Sequence, residues 1–235
     1  MAYKKRYDGR DFDETRKVEA KVGVVPRADG SASFSFGDTK AIAAVYGPRP
    51  LHPQFMQNSQ RGILRCNYDM MSFSVTERKK PGPARRSQEI SHVTAKALEP
   101  VVMLSAFPNT VVDVFITITQ ADAGTRTAGI NAASLALAHA GIPMSDLVGS
   151  VSVGKIGNSI CVDLTKAEED YEEDGEKMAT DIPVAFTLRG KKLSLLQLDG
   201  KIRKDELVKA LEVGQKACEK IYDIQKKALM AVKAH

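Results

Sequence analysis

Residues 122–129 read Asp122-Ala123-Gly124-Thr125-Arg126-Thr127-Ala128-Gly129. They follow a β-branched run, TVVDVFITIT at 110–119, and precede an apolar segment of helical length, so they fall at a strand-to-helix turn. The start of a helix presents unpaired N–H groups and a partial positive charge, which suits an anion. Gly124 lets the backbone approach closely, Thr125 and Thr127 add hydroxyls, and Arg126 adds a planar fork matched to phosphate oxygens. The chain holds no GxxxxGK followed by Ser or Thr. The turn therefore suits a small free phosphate better than a nucleoside triphosphate. The same residues would also serve as a plain helix cap beside a surface arginine.

Two further groups could do chemistry. Arg85 and Arg86 close a proline-broken basic loop, ERKKPGPARR at 77–86, just before an expected helix. Cations at a helix start oppose its dipole by about 0.3–1 kcal/mol unless an anion is bound. Among the acids, Glu169, Asp170, Asp174 and Asp181 could furnish oxygen ligands for Mg²⁺, which takes one or two carboxylates plus water and phosphate. One of them could instead protonate a leaving oxygen. His52, His92, His139 and His235 form no HxxxH or HExxH spacing, which gives no support to a histidine metal site or a Ser-His-Asp relay.

Charge is divided along the chain. The 235 residues carry 34 Lys+Arg against 29 Asp+Glu, a net +5. Residues 49–96 hold nine basic and three acidic residues, a balance of +6, whereas 163–181 hold nine acids and two lysines, a balance of −7. A basic block suits a polyanion, because each neutralised phosphate releases a counterion. Both blocks would also be ordinary as solvated loops. No run of about 18 apolar residues could span a bilayer, and the first ten residues lack an apolar signal core. Cys66, Cys161 and Cys218 are scattered and odd in number, so reduced thiols of a cytoplasmic protein are expected.

The elements that must position these groups follow from periodicity. Strands are expected at 16–25 and 31–36 with a turn at Asp29-Gly30, at 40–46 ended by Gly47-Pro48, and at 63–74 after a loop over 48–61. A helix from about Ser87, kinked or ended by Pro100, precedes the strand at 110–119, and a second helix covers 127–140. A hairpin over Gly157-Asn158, the acidic loop, strands near 182–188 and 191–198, and a helix at 203–232 complete the order. The expectation is a mixed α+β fold in one domain over 1–235, its two halves loosely alike.

Five strings carry a wider resemblance: DGR at 8–10, ADGSASFSFGDTKAIAAVYGPR at 28–49, ERKKPGPARRSQEIS at 77–91, DAGTRTAGINAASLALAHAGIPMSDLV at 122–148 and LLQLDG at 195–200. Together they resemble the RNase PH family of phosphorolytic exoribonucleases, and within it the catalytic ring subunits of the archaeal exosome. The resemblance implies the RNase PH fold, two βαβ-type halves related by a pseudo-twofold axis. It implies stepwise attack of inorganic phosphate on the RNA 3′ end, releasing nucleoside 5′-diphosphates, with RNA tailing as the reverse reaction. It also implies single-stranded RNA as substrate, and a ring of three copies alternating with three of a related inactive subunit beneath RNA-binding cap proteins. No membrane partner is implied.

By the same resemblance Gly124, Thr125 and Arg126 hold the phosphate with help from Thr127, and Arg85 and Arg86 grip the RNA. Arg61 guides the strand near the pore. Asp181, in TDIPVAF, matches the second member of the family's acidic pair. Asp170 and Asp174 each end a Glu-Glu-Asp in EEDYEEDGEKMATD, which is longer than the usual spacing. Asp170 is favoured as the general acid or metal ligand because it follows DLTK almost directly, with Asp181 as its partner; both are expected Mg²⁺ ligands, and Asp174 is the alternative to Asp170. An inactive RNA-binding ring subunit and a free-standing homohexameric tRNA-trimming enzyme are the competing readings.

Overall fold

A computed structural model describes residues 3, 5–77, 80, 82–173 and 176–231. The alternating N-terminal segments form a five-stranded sheet from β1 (Val18–Val22), β2 (Gly30–Phe36), β3 (Thr39–Pro50), β4 (Ile63–Met70) and β5 (Thr110–Gln120), in the order β1-β2-β3-β5-β4. Every pairing is antiparallel except β4 with β5, whose parallel register is made possible by the crossover helix α1 (Arg85–Leu98). Helix α1 stops before Pro100, as the proline requires, and begins two residues earlier than Ser87. Strand β3 runs past Gly47-Pro48 rather than ending there, because a register shift between Tyr46 and Arg49 lets pairing with β5 resume.

After α2 (Thr125–His139) the chain builds a second, antiparallel sheet from β6 (Val148–Ile156) and β7 (Ser159–Val162). The acidic segment is partly ordered: it contains α3 (Lys166–Glu169) and the short pair β8 (Glu172–Glu173) and β9 (Glu176–Lys177). Strands β10 (Ala179–Thr187) and β11 (Leu193–Leu196) complete the order β11-β10-β6-β7, and α4 (Lys204–Met230) ends the described chain.

Helix α2 explains how the sheets share a core. Its sequence TRTAGINAASLALAH has no polar face, and nearly every residue from Thr125 to Leu137 is buried. It packs on β2, β3 and β5 on one side and on β6 on the other, so it is sandwiched between the sheets. Small residues permit this: a Cβ on Gly129 would lie 3.1 Å from Ile116 Cγ2, and one on Gly30 would lie 2.3 Å from the Ala140 nitrogen. Polar side chains within the sandwich are satisfied by the sheet backbone. Asn131 donates to the Ser150 carbonyl and accepts from its N–H, and Ser134 accepts from the Val148 N–H. Helix α4 is amphipathic and lays Ala210, Gly214, Ala217, Cys218 and Ile221 against the second sheet. All three cysteines are unpaired and buried, and burial pushes the Cys66 and Cys161 thiols up to about 12.

The N-terminal segment straps the acidic segment from outside either sheet. Arg6 forks both oxygens of Glu168 at 2.8 and 2.7 Å, with both side chains fully buried. Nη1 donates to the Val162 carbonyl at 2.7 Å, Nη2 donates also to the Asp163 carbonyl at 2.8 Å, and the Tyr3 hydroxyl donates to Glu168 at 3.0 Å. Burial would raise the Glu168 pKa, but the Arg6 and Tyr3 hydrogen bonds and the Thr165 N–H outweigh it and hold the carboxyl below its ordinary range. Its stabilising contribution is therefore present above the ordinary glutamate pKa and is lost as pH falls through the lowered folded value. Glu168→Gln is expected to cost about 3–5 kcal/mol at neutral pH by stranding the Arg6 charge. Melting followed from pH 7 to pH 3 should show the gap to the parent closing at the acid end; a gap constant with pH would refute the ionic account.

Candidate active site

The turn before α2 is held in an unusual backbone conformation. Ala123 and Gly124 both have positive φ, 56° and 61°, and no side chain caps the helix. Thr39 fixes the turn from β3. Its hydroxyl contacts the carbonyl oxygens of Asp122 and Ala123 at 2.8 and 2.7 Å and accepts from the Asp122 N–H at 3.0 Å. Arg16 fixes it from below, donating to the Asp122 carbonyl at 2.5 Å and to its carboxylate at 3.0 Å. The rest of the Arg16 guanidinium forks Asp163 at 2.9 and 2.7 Å, and Asp163 also accepts from the Arg16 N–H at 2.8 Å. The free first-turn N–H groups of α2 are thereby presented by a braced loop.

The threonines are more structural than their hydroxyls suggest. Thr127 is buried and donates to the Gly124 carbonyl at 2.9 Å. Thr125 accepts from the Tyr68 hydroxyl at 2.9 Å, which leaves its own proton to donate. Arg126 lies at the second helical position, four-fifths buried, and reaches Glu89 of α1 through Nη2 at 3.2 Å. Its Nε is buried without a partner.

Arg85 and Arg86 are the first two residues of α1, exposed, with no acid in that first turn. Arg86 and Arg126 both lie close enough to Asp181 to favour its ionised form. Burial works the other way, with Asp199 helping it, and the net effect is to raise the Asp181 pKa above the ordinary carboxylate range. Asp181 sits on β10 opposite Gly154, accepts a very short hydrogen bond from Ser152 Oγ, and exchanges backbone hydrogen bonds with Asp199. The structure thus brings together Gly124, Thr125, Arg126, Thr127, Arg86 and Asp181 at one end of α2.

Other expected residues stand apart. Arg61 pairs with Glu99, the cap at the far end of α1. The helix spans 14 residues, which puts Arg61 about 20 Å from Arg85 and Arg86. Asp170 caps α3, is exposed, and pairs with Lys166 at 2.7 Å. Its helix is docked on the turn before α2, since the Lys166 N–H donates to Asp122 at 2.9 Å. Asp174, like His235, Arg78 and Lys79, lies outside the described residues. Among the described residues no three His, Cys, Asp or Glu side chains cluster as a metal cage. A Mg²⁺ bound mostly by water and phosphate does not require one, and Asp181 has the oxygen chemistry for a single ligand.

The comparisons decide what this constellation belongs to. The sequence pattern described as the 3′ exoribonuclease family, domain 1, matches residues 14–143, and domain 2 of the same family matches 146–217. The chain belongs to the RNase PH family. It is 52% identical to the exosome complex component Rrp41 of Thermococcus kodakarensis, over 96% of this chain and 88% of that one. It is 48% identical to the Rrp41 of Nitrosopumilus maritimus, over 96% and 90%. Its fold superimposes on the crystal structure of rice Rrp46 with a TM-score of 0.84 at 25% identity, covering 96% of this chain and all of that one. An Archaeoglobus fulgidus exosome with RNA bound to the active site matches its fold with a TM-score of 0.79 at 24% identity, covering 93% and 92%. RNase PH enzymes are phosphorolytic 3′-to-5′ exoribonucleases that use phosphate as a substrate.

Arg16, Asp163, Tyr68, Glu89, Gln197 and Ser152 surround the RNase PH site without having been singled out as site residues in the sequence. Their partners lie 29 to 147 residues away, beyond any local pattern. Asp181 supplies a measurable sign. Because its pKa is raised, folding favours the protonated form, and the associated stability is present at low pH and lost as pH rises through the folded value. Asp181→Asn, a neutral isostere, should melt above the parent at pH 8, by about 2–4 °C per kcal/mol recovered, and the difference should vanish near pH 3. A variant that melts below the parent at pH 8 would show that the carboxylate is stabilised there.

Proposed function

We propose that the chain is the phosphorolytic 3′-to-5′ exoribonuclease subunit of an archaeal exosome ring, acting as one RNase PH-like unit over 1–235. The observation that carries this reading is the meeting of Arg126, Arg86 and a buried Asp181, its pKa raised by burial, at the open end of α2. Inorganic phosphate would rest on the N–H groups after Gly124, on the Thr125 hydroxyl and on Arg126, with Thr127 holding the first turn in shape. Arg85 and Arg86 would hold the terminal phosphodiester beside it, offsetting the repulsion between two anions. The phosphate oxygen attacks the phosphodiester phosphorus, the bond to the preceding 3′ oxygen breaks, and that oxygen takes the Asp181 proton. The products are a nucleoside 5′-diphosphate and an RNA one nucleotide shorter. Phosphate rather than water is the nucleophile, so the term hydrolase does not suit the reaction.

Mg²⁺ would be held by Asp170, once freed from Lys166, together with water and phosphate, and by Asp181 only in its ionised form, neutralising phosphate charge there. Asp174 is the alternative on the same acidic segment. Arg61 would meet the RNA some nucleotides upstream, at the distance set by α1. The relatives' designation as exosome complex components supports membership of a multi-subunit assembly. The hexameric ring with an inactive RNase PH-like partner, the RNA-binding caps and the cytoplasmic setting are part of the proposal and follow from the family resemblance.

RNA incubated with the chain and its ring partner should yield nucleoside diphosphates only when phosphate is present, whereas monophosphate release by water would overturn the reading. Asp181→Asn and Asp170→Ala should each lower turnover by about 10²–10⁴ while RNA binding persists. An active Asp170→Ala with an inactive Asp174→Ala would move the role to Asp174. Arg85→Ala combined with Arg86→Ala should weaken RNA binding and reduce the slope of log K against log salt by about 1.4 for a single strand. An unchanged slope would remove both from the phosphate contacts.

A further inference from the structure

The edge of a guanidinium formed by Nε and Nη2 is the one that matches two oxygens of a single anion. Three arginines near the site or on the neighbouring sheet use it fully. Arg6 closes it on Glu168, Arg16 on Asp163 and Arg65 on Asp113, each with one bond from Nε and one from Nη2. Arg126 does not. Its Nη2 donates to Glu89 Oε2 at 3.2 Å, while its Nε is buried and unpartnered. The reason lies on the other oxygen of the same carboxylate: Glu89 Oε1 accepts from Gln197 Nε2 at 2.7 Å. Gln197, in the LLQLDG string at the end of β11, thus draws away the oxygen that would complete the fork.

We propose that Glu89 is a built-in stand-in for phosphate on Arg126, and that Gln197 keeps it a weak one by holding its second oxygen. Inorganic phosphate then has to displace one long hydrogen bond from an exposed carboxylate rather than a closed ion pair. An unpaired buried Nε is costly, and two phosphate oxygens would satisfy it together with Nη2. Glu89 and Gln197 are positioning residues that set the affinity for phosphate. The inference rests on the phosphorolytic reading.

The two variants should act in opposite directions. Glu89→Gln keeps the size and removes the competing charge, and should lower the KM for phosphate by up to about fivefold, the worth of one exposed ion pair. Gln197→Met frees Glu89 to close on both Arg126 nitrogens and should raise that KM, with no change in net charge. The measurement is the KM for inorganic phosphate at saturating RNA, using the full chain with its ring partner. A general loss of structure would weaken both variants alike, so a KM that rises or stays level for Glu89→Gln overturns the inference. So does a KM that falls or stays level for Gln197→Met. If the parent itself releases no diphosphate at any phosphate concentration, the phosphorolytic reading falls first; if the parent saturates normally and the variants do not diverge, only the stand-in role falls.

Discussion

A guanidinium buried against a carboxylate, Arg16 on Asp163, is the contact on which the site depends. Taking two charges out of water is expensive, and the cost is recovered only when geometry is good and every remaining donor and acceptor is used. Here it is. Arg16 spends its fork on Asp163 and its remaining nitrogen on Asp122, while Asp163 also accepts the Arg16 N–H. Three distant segments meet at that point: the N-terminal strap, the turn before α2 and the end of β7. Asp163 takes a positive φ of 56° to reach it, a conformation that a non-glycine residue holds only when its surroundings demand it.

The second constraint is α2, which has two tasks. Its body must fill the space between two sheets, so it is made of small and apolar residues and buries its polar ones only where the sheet backbone answers them. Its first turn is left open, with no capping side chain, which the proposed reading gives to an anion. A Ser, Thr or Asp caps a helix from an extended backbone, whereas position 124 is left-handed, so such a residue there would be strained and poorly aimed at the first-turn N–H groups. Glycine there, with φ of 61°, fits both the open turn and its left-handed backbone. The stability forgone at the cap is small beside the burial of the rest of the helix.

Elements with a strong period were legible in the sequence. The strands, the helix after Arg86, the hairpin over Gly157-Asn158 and the face of α4 follow from spacing alone, and their ends shift by a few residues where long-range pairing decides. The acidic segment was legible as charge but not as structure. Among its described acids Asp163 and Glu168 are buried and answer arginines 147 and 162 residues earlier, in a region whose composition gives no hint of burial. A local window counts such acids as solvated because their partners lie outside it. Asp181 differs from its neighbours for the same reason: its environment is made by β6, by the arginines of α1 and α2, and by Asp199.

That environment sets the carboxyl of Asp181 between opposing influences. Burial and Asp199 favour the proton; Ser152, Arg126 and Arg86 favour the charge, and in the unliganded chain the first group prevails. Substrate changes the balance in one direction. On the proposed reading, phosphate on Arg126 and a phosphodiester on Arg86 would bring negative charge to the two cations that had favoured ionisation, and would displace water that had solvated the ionised carboxyl. Both changes would strengthen the hold of Asp181 on its proton. If Asp181 is the acid that serves the departing 3′ oxygen, it would thus be made more firmly protonated by the arrival of the groups it serves, through the same two arginines that oppose its proton in the unliganded chain.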